Sequence, residues 1–455
     1  MGMFLQALEQ IVPIERINHV FSCDPLVHAR RFMLENCHPP PQHMYETVAN
    51  LMDDTAWRWR CQGPCAAHHG ETADIVVGGF PCQAFSNLRH CRFDADYEPF
   101  QTPAGKVFFE ISRWICQMVK ANKAPKVVLL ENVQGLLHKN KSGIAPIDVV
   151  MDGVVLEGGH ATPVGLRAVF SDDYVILDPM TLSSQVLGLP MVRERIFLVM
   201  IRRDLCSDLH FHPFQSREQP SYGHVLPIRS TTGDCIVDNL HLLKTRPIEI
   251  QPLEEYMDLD TPVILDTESE RNELKKRARF APDVRTRQDM DDVKEWEKQS
   301  VAFRKKYALR EKRAREGRPV SSALALWGAT DLSSRETDLL DCAILWCRTQ
   351  YDGRVKRDLV VDLSQAVARE PWRVDGKVPC FHRGMKLWWR NSIVNVESCF
   401  HMMGWPRRSL VLADCSVCHA RALLGNMLAV PVVGAILCCI MREVAVFSDT
   451  NSLPQ

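Results

Sequence analysis

The sequence predicts an α/β domain with a mostly parallel sheet covered on both faces. Three observations carry this. Short apolar runs alternate with amphipathic stretches through the first 204 residues. Two of the runs, Lys126–Leu130 (KVVLL) and Arg195–Arg202 (RIFLVMIR), are continuously apolar inside, as strands buried on both faces are. A third, Ala73–Gly79 (ADIVVGG), ends in glycines, which let backbone approach a ligand closely. In such a fold ligands bind at the carboxyl ends of the strands.

Taken in order, Ile17–Cys23 (INHVFSC) reads as a strand and Pro25–Asn36 as a helix. Ala73–Gly79 is the next strand. Lys106–Ala121 (KVFFEISRWICQMVKA) has apolar residues near helical spacing and reads as a helix. Lys126–Leu130 and Arg195–Arg202 complete the strands of this region. From about 205 the texture changes, and Leu205–Pro262 is rich in His, Pro and Thr with no clear period. Residues 271–318 hold 17 Lys+Arg against 9 Asp+Glu, a local net of +8. Within this block Val293–Arg315 reads as a surface helix, either a solvated face or a contact for a phosphate backbone. Apolar content returns after Met385. Ala422–Met441 is a run of 20 residues without a charge, broken by Gly425, Asn426 and Pro431. A buried core helix fits that broken pattern better than a membrane span. The expected organisation is a first domain over 1–204, a variable region over 205–385, and a segment 386–455 that returns to the first domain.

Composition narrows the class. At 455 residues and 46% apolar, the chain can bury a core, which excludes wholesale disorder. The net charge of −1 averages the +8 block against −9 elsewhere, so a polyanion site must be local. The 17 cysteines are odd in number and scattered, which suggests reduced thiols in an intracellular protein rather than a disulfide framework. The start MGMFLQALEQIVPIERI shows no cationic signal-peptide region, and Gln6 breaks the myristoylation pattern. Cys61 and Cys65 with His68 and His69, and Cys415 and Cys418 with His419, have loose zinc spacing, but each set lacks a properly spaced second pair, so no metal is expected.

Three segments carry chemistry. In Ala73–Ser86 (ADIVVGGFPCQAFS) the strand runs into Gly78-Gly79 and then Phe80-Pro81-Cys82-Gln83. A thiol on a loop at the carboxyl end of a strand is placed for nucleophilic work, and Cys82 reads equally as a nucleophile and as a small buried hydrophobe. Glu131, directly after an apolar strand in VVLLENV, suits a proton donor beside a low-dielectric interior, or a helix N-terminal carboxylate. Arg193 and Arg195 in LPMVRERIFLV alternate along an incipient strand and are expected to face the same way, toward a planar polar or anionic ligand.

This set resembles the DNA (cytosine-5) methyltransferase family. The family carries, in order, a G-F-P-C-Q-x-F-S nucleophile loop, an E-N-V strand end and a Q-x-R-x-R strand. Here stand GGFPCQAFS at 78–86, ENV at 131–133 and MVRER at 191–195. Thr102–Glu110 (TPAGKVFFE) is similar to the R-G-x-L-F-F-E segment, Glu397 in VESCFHMMGWP to E-x-x-x-x-x-G-F-P, and Leu424–Gly434 (LGNMLAVPVVG) to G-N-x-x-x-V-P. The matches cover roughly 15–204 and 390–440.

The resemblance implies a Rossmann-like, S-adenosylmethionine-dependent methyltransferase sheet with a second, smaller target-recognition domain. It also implies methyl transfer to carbon 5 of a cytosine flipped out of double-stranded DNA. On the same ground Cys82 would add to carbon 6, Glu131 would hold ring nitrogen 3 and the exocyclic amine, Arg195 would hold the ring carbonyl oxygen, and Arg193 would support the loop. Gln83 would meet the backbone phosphate or the vacated duplex. Asp24 would take the cofactor ribose, Phe80 and Pro81 would line the adenine and methionine ends, and Val107 and Asn426 would complete the pocket. The expected protein is a nuclear enzyme in a eukaryote and otherwise a cytoplasmic one, a monomer, with no membrane partner. A catalytically impaired DNA-binding remnant is the alternative.

Some positions depart from the pattern. The D-L-F-x-G-x-G loop is matched only by Gly2 at its last glycine, so the first strand and most of the methionine-binding turn are expected to be missing. Weak or no S-adenosylmethionine binding by these 455 residues is the matching expectation. Met191 stands in place of the Gln of Q-x-R-x-R. The RNA-directed branch carries P-P-C-Q-P-F-T where this chain has FPCQAFS, so DNA is the expected substrate.

Overall fold

The apolar runs read from the sequence become the strands that place the candidate site. A computed structural model describes residues 2–52, 57–58, 63–64, 73–86, 98–141, 143–157, 160–206, 248–257, 287–309, 332–352, 355–390, 392–407, 410–412 and 415–444. The chain divides into two units: Met1–Leu187 with Glu194–Ile248 and Leu428–Gln455, and Gly188–Arg193 with Glu249–Met427.

In the first unit α1 (Met3–Glu9) and α2 (Val27–Asn36) flank β1 (Phe21–Cys23), which pairs in parallel with β2 (His43–Tyr45). This pair is a sheet of its own. A second sheet holds β3 (Ile75–Gly79), β4 (Val127–Val133), β5 (Tyr174–Ile176), β6 (Met180–Ser183) and β7 (Glu194–Arg202). Its order is β6-β7-β4-β3, with β5 also on β7. Only β3 and β4 run parallel; β7 is antiparallel to β4, β5 and β6. The expected α/β fold is borne out, in a mixed rather than a mostly parallel sheet. A continuous apolar run reports burial on both faces and says nothing about direction, and β7 is a buried antiparallel strand, with Ile196 to Ile201 all 0–1% exposed.

One face of this sheet is covered by α3 (Pro103–Lys120). Val128, Leu130, Ile196, Leu198 and Met200 pack with Phe108, Ile111, Trp114 and Ile115 of that helix. The helix starts before the expected Lys106 because Thr-Pro-Ala-Gly is a start signal: Thr102 Oγ1 accepts from the Gly105 amide at 3.1 Å, and Pro103 occupies the first turn. Gly105 has no room for a side chain, since a Cβ there would lie 2.1 Å from the Pro99 carbonyl oxygen.

The second unit holds α4 (Arg287–Lys306), α5 (Ser334–Gln350), and an antiparallel sheet of β8 (Val360–Asp362), β9 (Trp372–Arg373), β10 (Leu387–Trp389) and β11 (Ser392–Ile393) in the order β9-β8-β10-β11. Within the expected basic block only 287–309 are described. There Arg304 is no surface charge. It is 7% exposed and donates at 2.9 Å to both Asp338 and Asp341 of α5, while Ser300 donates to Asp338. Breaking such a buried group by removing one partner is costly, so this part of the block holds α4 to α5.

The uncharged C-terminal run is two helices, α6 (Val417–Asn426) in the second unit and α7 (Val430–Glu443) in the first. Pro431 stands in the first turn of α7, where its missing N–H costs nothing. Val430, Val433, Ile436, Leu437 and Ile440 are fully buried, and α7 packs on α1. By length and composition alone Val417–Arg442 could cross a membrane, but 56% of its apolar 18-residue stretch is buried in the fold. Leu428–Gln455 groups with the first unit, while Val396–Met402 and α6 pack together within the second.

Candidate active site

The site grows from the ends of β3 and β4. In the parallel register Gly79 faces Glu131 and Gly78 faces Leu130. Alternation then puts Gly78 against the core, with Leu130 Cδ2 3.3 Å from where its Cβ would be, and Gly79 on the face that carries Glu131. A Cβ at Gly79 would lie 3.2 Å from Glu131 Oε2, so the glycine lets the carboxylate lie close against the strand end.

Arg195 reaches the same carboxylate from the other side. It faces Val133 across the antiparallel β4–β7 ladder, which puts Glu131 on the diagonal of the same face. Arg195 Nε stands 2.9 Å from Glu131 Oε1, the two side chains being 13% and 12% exposed, and Arg195 Nη1 donates to the Glu194 carbonyl at 2.7 Å. The pair is therefore a nearly buried, fixed acceptor–donor edge. A planar heterocycle with an amine and a carbonyl on either side of one ring nitrogen is the kind of group such an edge can bind.

After Gly79 the chain leaves β3. The Phe80 ring, 2% exposed, packs on Phe85 and Phe108 with centroids at 5.7 and 5.4 Å. Phe80 therefore offers a ligand its backbone and not its ring. Pro81 then leads into a tight turn, Cys82–Ala84, closed by the Phe85 amide donating to the Cys82 carbonyl at 2.9 Å. Ala84 and Phe85 are buried, Cys82 is half-buried and Gln83 exposed. The turn is thus anchored by Ala84 and Phe85, next to the half-buried Cys82. By contrast, burial pushes the thiols of Cys23, Cys37, Cys342 and Cys399 up to about 12, so those remain protonated at neutral pH.

Two residues in this arrangement carry a role that the sequence reading does not give them. Asn132, 1% exposed, donates from Nδ2 to the Phe80 carbonyl at 3.1 Å and accepts the Val133 amide at 2.8 Å, tying the β4 end to the Cys82 loop. Its signal was present: a polar residue beside Glu131 in an apolar strand must point to the opposite, buried face and needs a partner there. Gly79 is the other. Its Ala variant is expected to fold with stability within about 1 kcal/mol of the parent. Its kcat should fall by up to about tenfold, because the Glu131 carboxylate must shift by a few tenths of an ångström. Steady-state kinetics beside a thermal melt would check this, and an unchanged kcat would show that the close approach has no catalytic meaning.

The remaining expected residues divide between the units. Asp24, at the carboxyl end of β1, accepts the Leu26 amide at 2.9 Å, and its carbonyl accepts Arg30 Nη1 at 2.7 Å. Val107 lies in the first turns of α3, packed on the Phe80 cluster. Arg193 and Asn426 belong to the second unit. Arg193 does not share the face of Arg195 as expected. It precedes β7, is 3% exposed, and its guanidinium donates to backbone carbonyls of Phe381 and Met427. Alternation holds only within a strand, and this strand begins at Glu194. Cys61, Cys65, His68 and His69 lie outside the described residues. Among the described residues no group of three or more His, Cys, Asp or Glu could hold a metal ion.

Residues 66–342, more than half the chain, match the sequence profile of a family described as C-5 cytosine-specific DNA methylase. The chain is 29% identical over 160 residues to the type II methyltransferase M.Eco47II of Escherichia coli, covering 35% of this chain and 30% of that protein. It is 28% identical over 214 residues to the DNA (cytosine-5-)-methyltransferase M.ApeKI of Aeropyrum pernix, covering 44% and 40% respectively. The chain thus spans well under half the length of these relatives. The crystal structure of the Schizosaccharomyces pombe Dnmt2 methyltransferase aligns over 97% of this chain and 95% of its own, with a TM-score of 0.44 and 13% identity.

Proposed function

We propose, since this chain belongs to the C-5 cytosine-specific DNA methylase family, that it transfers a methyl group from S-adenosylmethionine to carbon 5 of a cytosine flipped out of double-stranded DNA. The observation that carries the reading is the Glu131–Arg195 pair, 2.9 Å apart and nearly buried, at the root of the loop that presents Cys82.

Carbon 5 of cytosine is a weak nucleophile. The Cys82 thiolate adds to carbon 6 and moves electron density onto carbon 5. Glu131 holds the exocyclic amine and ring nitrogen 3, and Arg195 the ring carbonyl oxygen, so charge that develops on the ring is met by groups already in place. Carbon 5 would take the methyl group with S-adenosylhomocysteine as the leaving group, its proton passes to a solvent base, and the thiolate leaves as the ring regains its double bond. None of this can occur inside the base stack, so the nucleotide must be extruded first. Gln83, exposed beside Cys82, would meet the phosphate or the vacated duplex.

S-adenosylmethionine supplies an electrophilic methyl group. The described residues fit its nucleoside half. Asp24 and Pro81 stand at the carboxyl ends of β1 and β3, where α/β sheets take such ligands, and the Asp24 backbone is held by Arg30. Asp24 would hold the ribose hydroxyls, and the backbone at Phe80-Pro81 with Val107 would line the rest. Asn426, in the second unit, is assigned the same ligand from its G-N-x-x-x-V-P segment alone.

The test is incubation of the purified chain with tritiated cofactor and cytosine-containing duplex. Label recovered as 5-methylcytosine is the expected result. Label recovered in RNA alone would overturn the choice of substrate, and no label with intact, DNA-bound protein would leave a DNA-binding remnant.

A further inference from the structure

Arg193 is the residue whose place in the fold differs most from its expected role. Its guanidinium is buried within the second unit, donating to the Phe381 carbonyl at 3.1 Å, to the Gly425 carbonyl at 3.2 Å, to the Met427 carbonyl, and to Cys380 Sγ at 3.6 Å. Gly425 and Met427 bracket Asn426 at the end of α6. The last carbonyls of a helix have no partner inside the helix, and a cation there also meets the negative end of its dipole. A planar guanidinium can serve several carbonyls at once, which an ammonium on a flexible stem cannot do in a fixed geometry.

The approach of Arg193 is itself fixed. Met191 bridges Val378, the Val192 amide donates to the Val378 carbonyl at 3.0 Å, and the Val378 amide donates to the Pro190 carbonyl at 2.9 Å. An independent observation binds the same two segments. A Cβ at Gly425 would lie 2.7 Å from the Arg383 nitrogen and 2.9 Å from the His382 carbonyl carbon, so the α6 terminus lies directly on the 382–383 backbone. His382 is in turn tied to β8 through Nε2, 2.8 Å from Asp362 Oδ2.

We propose that Arg193 is a positioning residue for the cofactor side of the site and not a contact for the base. It fastens the Gly425–Met427 turn, and with it Asn426, onto the platform of residues 380–383. This rests on the reading of Asn426 as a cofactor contact. The Arg-x-Arg pair thus divides its labour, with Arg195 at the reacting ring and Arg193 holding the turn that carries Asn426.

Two variants, Arg193→Gln and Gly425→Ala, disturb the turn from opposite sides. In hydrogen exchange of the full chain, both should raise amide exchange in peptides spanning 380–383 and 424–428 by about tenfold or more, with β3 and β4 unchanged. In steady-state assays both should raise the cofactor KM by about tenfold with kcat within about twofold. Arg193→Lys should restore the cofactor KM only in part. The inference is overturned if exchange at 424–428 is unaltered. It is also overturned if kcat falls while the cofactor KM holds, which is what loss of a base contact would give. If Arg193→Gln fails to fold, a soluble Gly425→Ala variant with an unchanged cofactor KM overturns it as well. The exchange experiment needs no turnover, so a parent chain without methyl transfer would sink the proposed function and leave this inference to be decided by exchange alone.

Discussion

Replacing Cys82 by Ser is expected to lower methyl transfer by at least about 10³-fold while leaving DNA binding and the melting temperature nearly unchanged. A hydroxyl is almost never ionised at neutral pH, whereas a thiol ionises several units lower and is the far better nucleophile. The fold should not notice, because the anchors of the turn are Ala84 and Phe85, both 0% exposed, and the Cys82 main-chain carbonyl, none of which the change touches. The comparison that matters is with the buried thiols. Cys37, Cys342 and Cys399, held up to about 12 by burial, should give Ser variants with altered stability and unaltered turnover per folded molecule. A Cys82→Ser variant retaining a tenth of the parent rate would contradict the covalent route.

Glu131 gives the second large effect, in which chemistry and stability can be separated. Glu131→Gln keeps the shape and loses the charge, and is expected to lower kcat by about 10²–10⁴-fold. Glu131→Leu should additionally destabilise the chain by about 3 kcal/mol, because Arg195 is left nearly buried without its carboxylate. Adding Arg195→Met should recover most of that stability, since a packed apolar pair can replace a buried ion pair, and should recover no activity. A double-mutant cycle on melting and on kcat checks both halves. Additive stability changes would mean that the 2.9 Å pair is not coupled in solution.

The site was legible where the chemistry depends on residue type at a strand end. That Cys82 and Glu131 come to the same end of the sheet was legible because each follows an apolar strand, and the register, Gly79 opposite Glu131, follows from two strands that begin together with Ile75 opposite Val127. The direction of β7 could not be read, because burial makes a strand apolar whichever way it runs. Arg193 was misplaced for a related reason. Side-chain alternation was extended one residue before the strand begins, and nothing local signals that its partners lie near residues 381 and 425–427. Arg304 was hidden inside a run of like charges, since its partners Asp338 and Asp341 stand more than thirty residues away. Long-range pairing of polar groups is what single-sequence periodicity does not carry.

The most direct test is covalent capture. The full chain is mixed with duplex DNA carrying 5-fluorocytosine and with S-adenosylmethionine, and the products are digested and mapped by mass spectrometry. Fluorine cannot leave carbon 5 as the proton does, so the adduct at carbon 6 should persist, as a cross-link on the peptide containing Cys82 that is absent from Cys82→Ser. DNA-bound protein that forms no cross-link, or a cross-link carried by any other of the 17 cysteines, would contradict the assignment of Cys82 as the nucleophile.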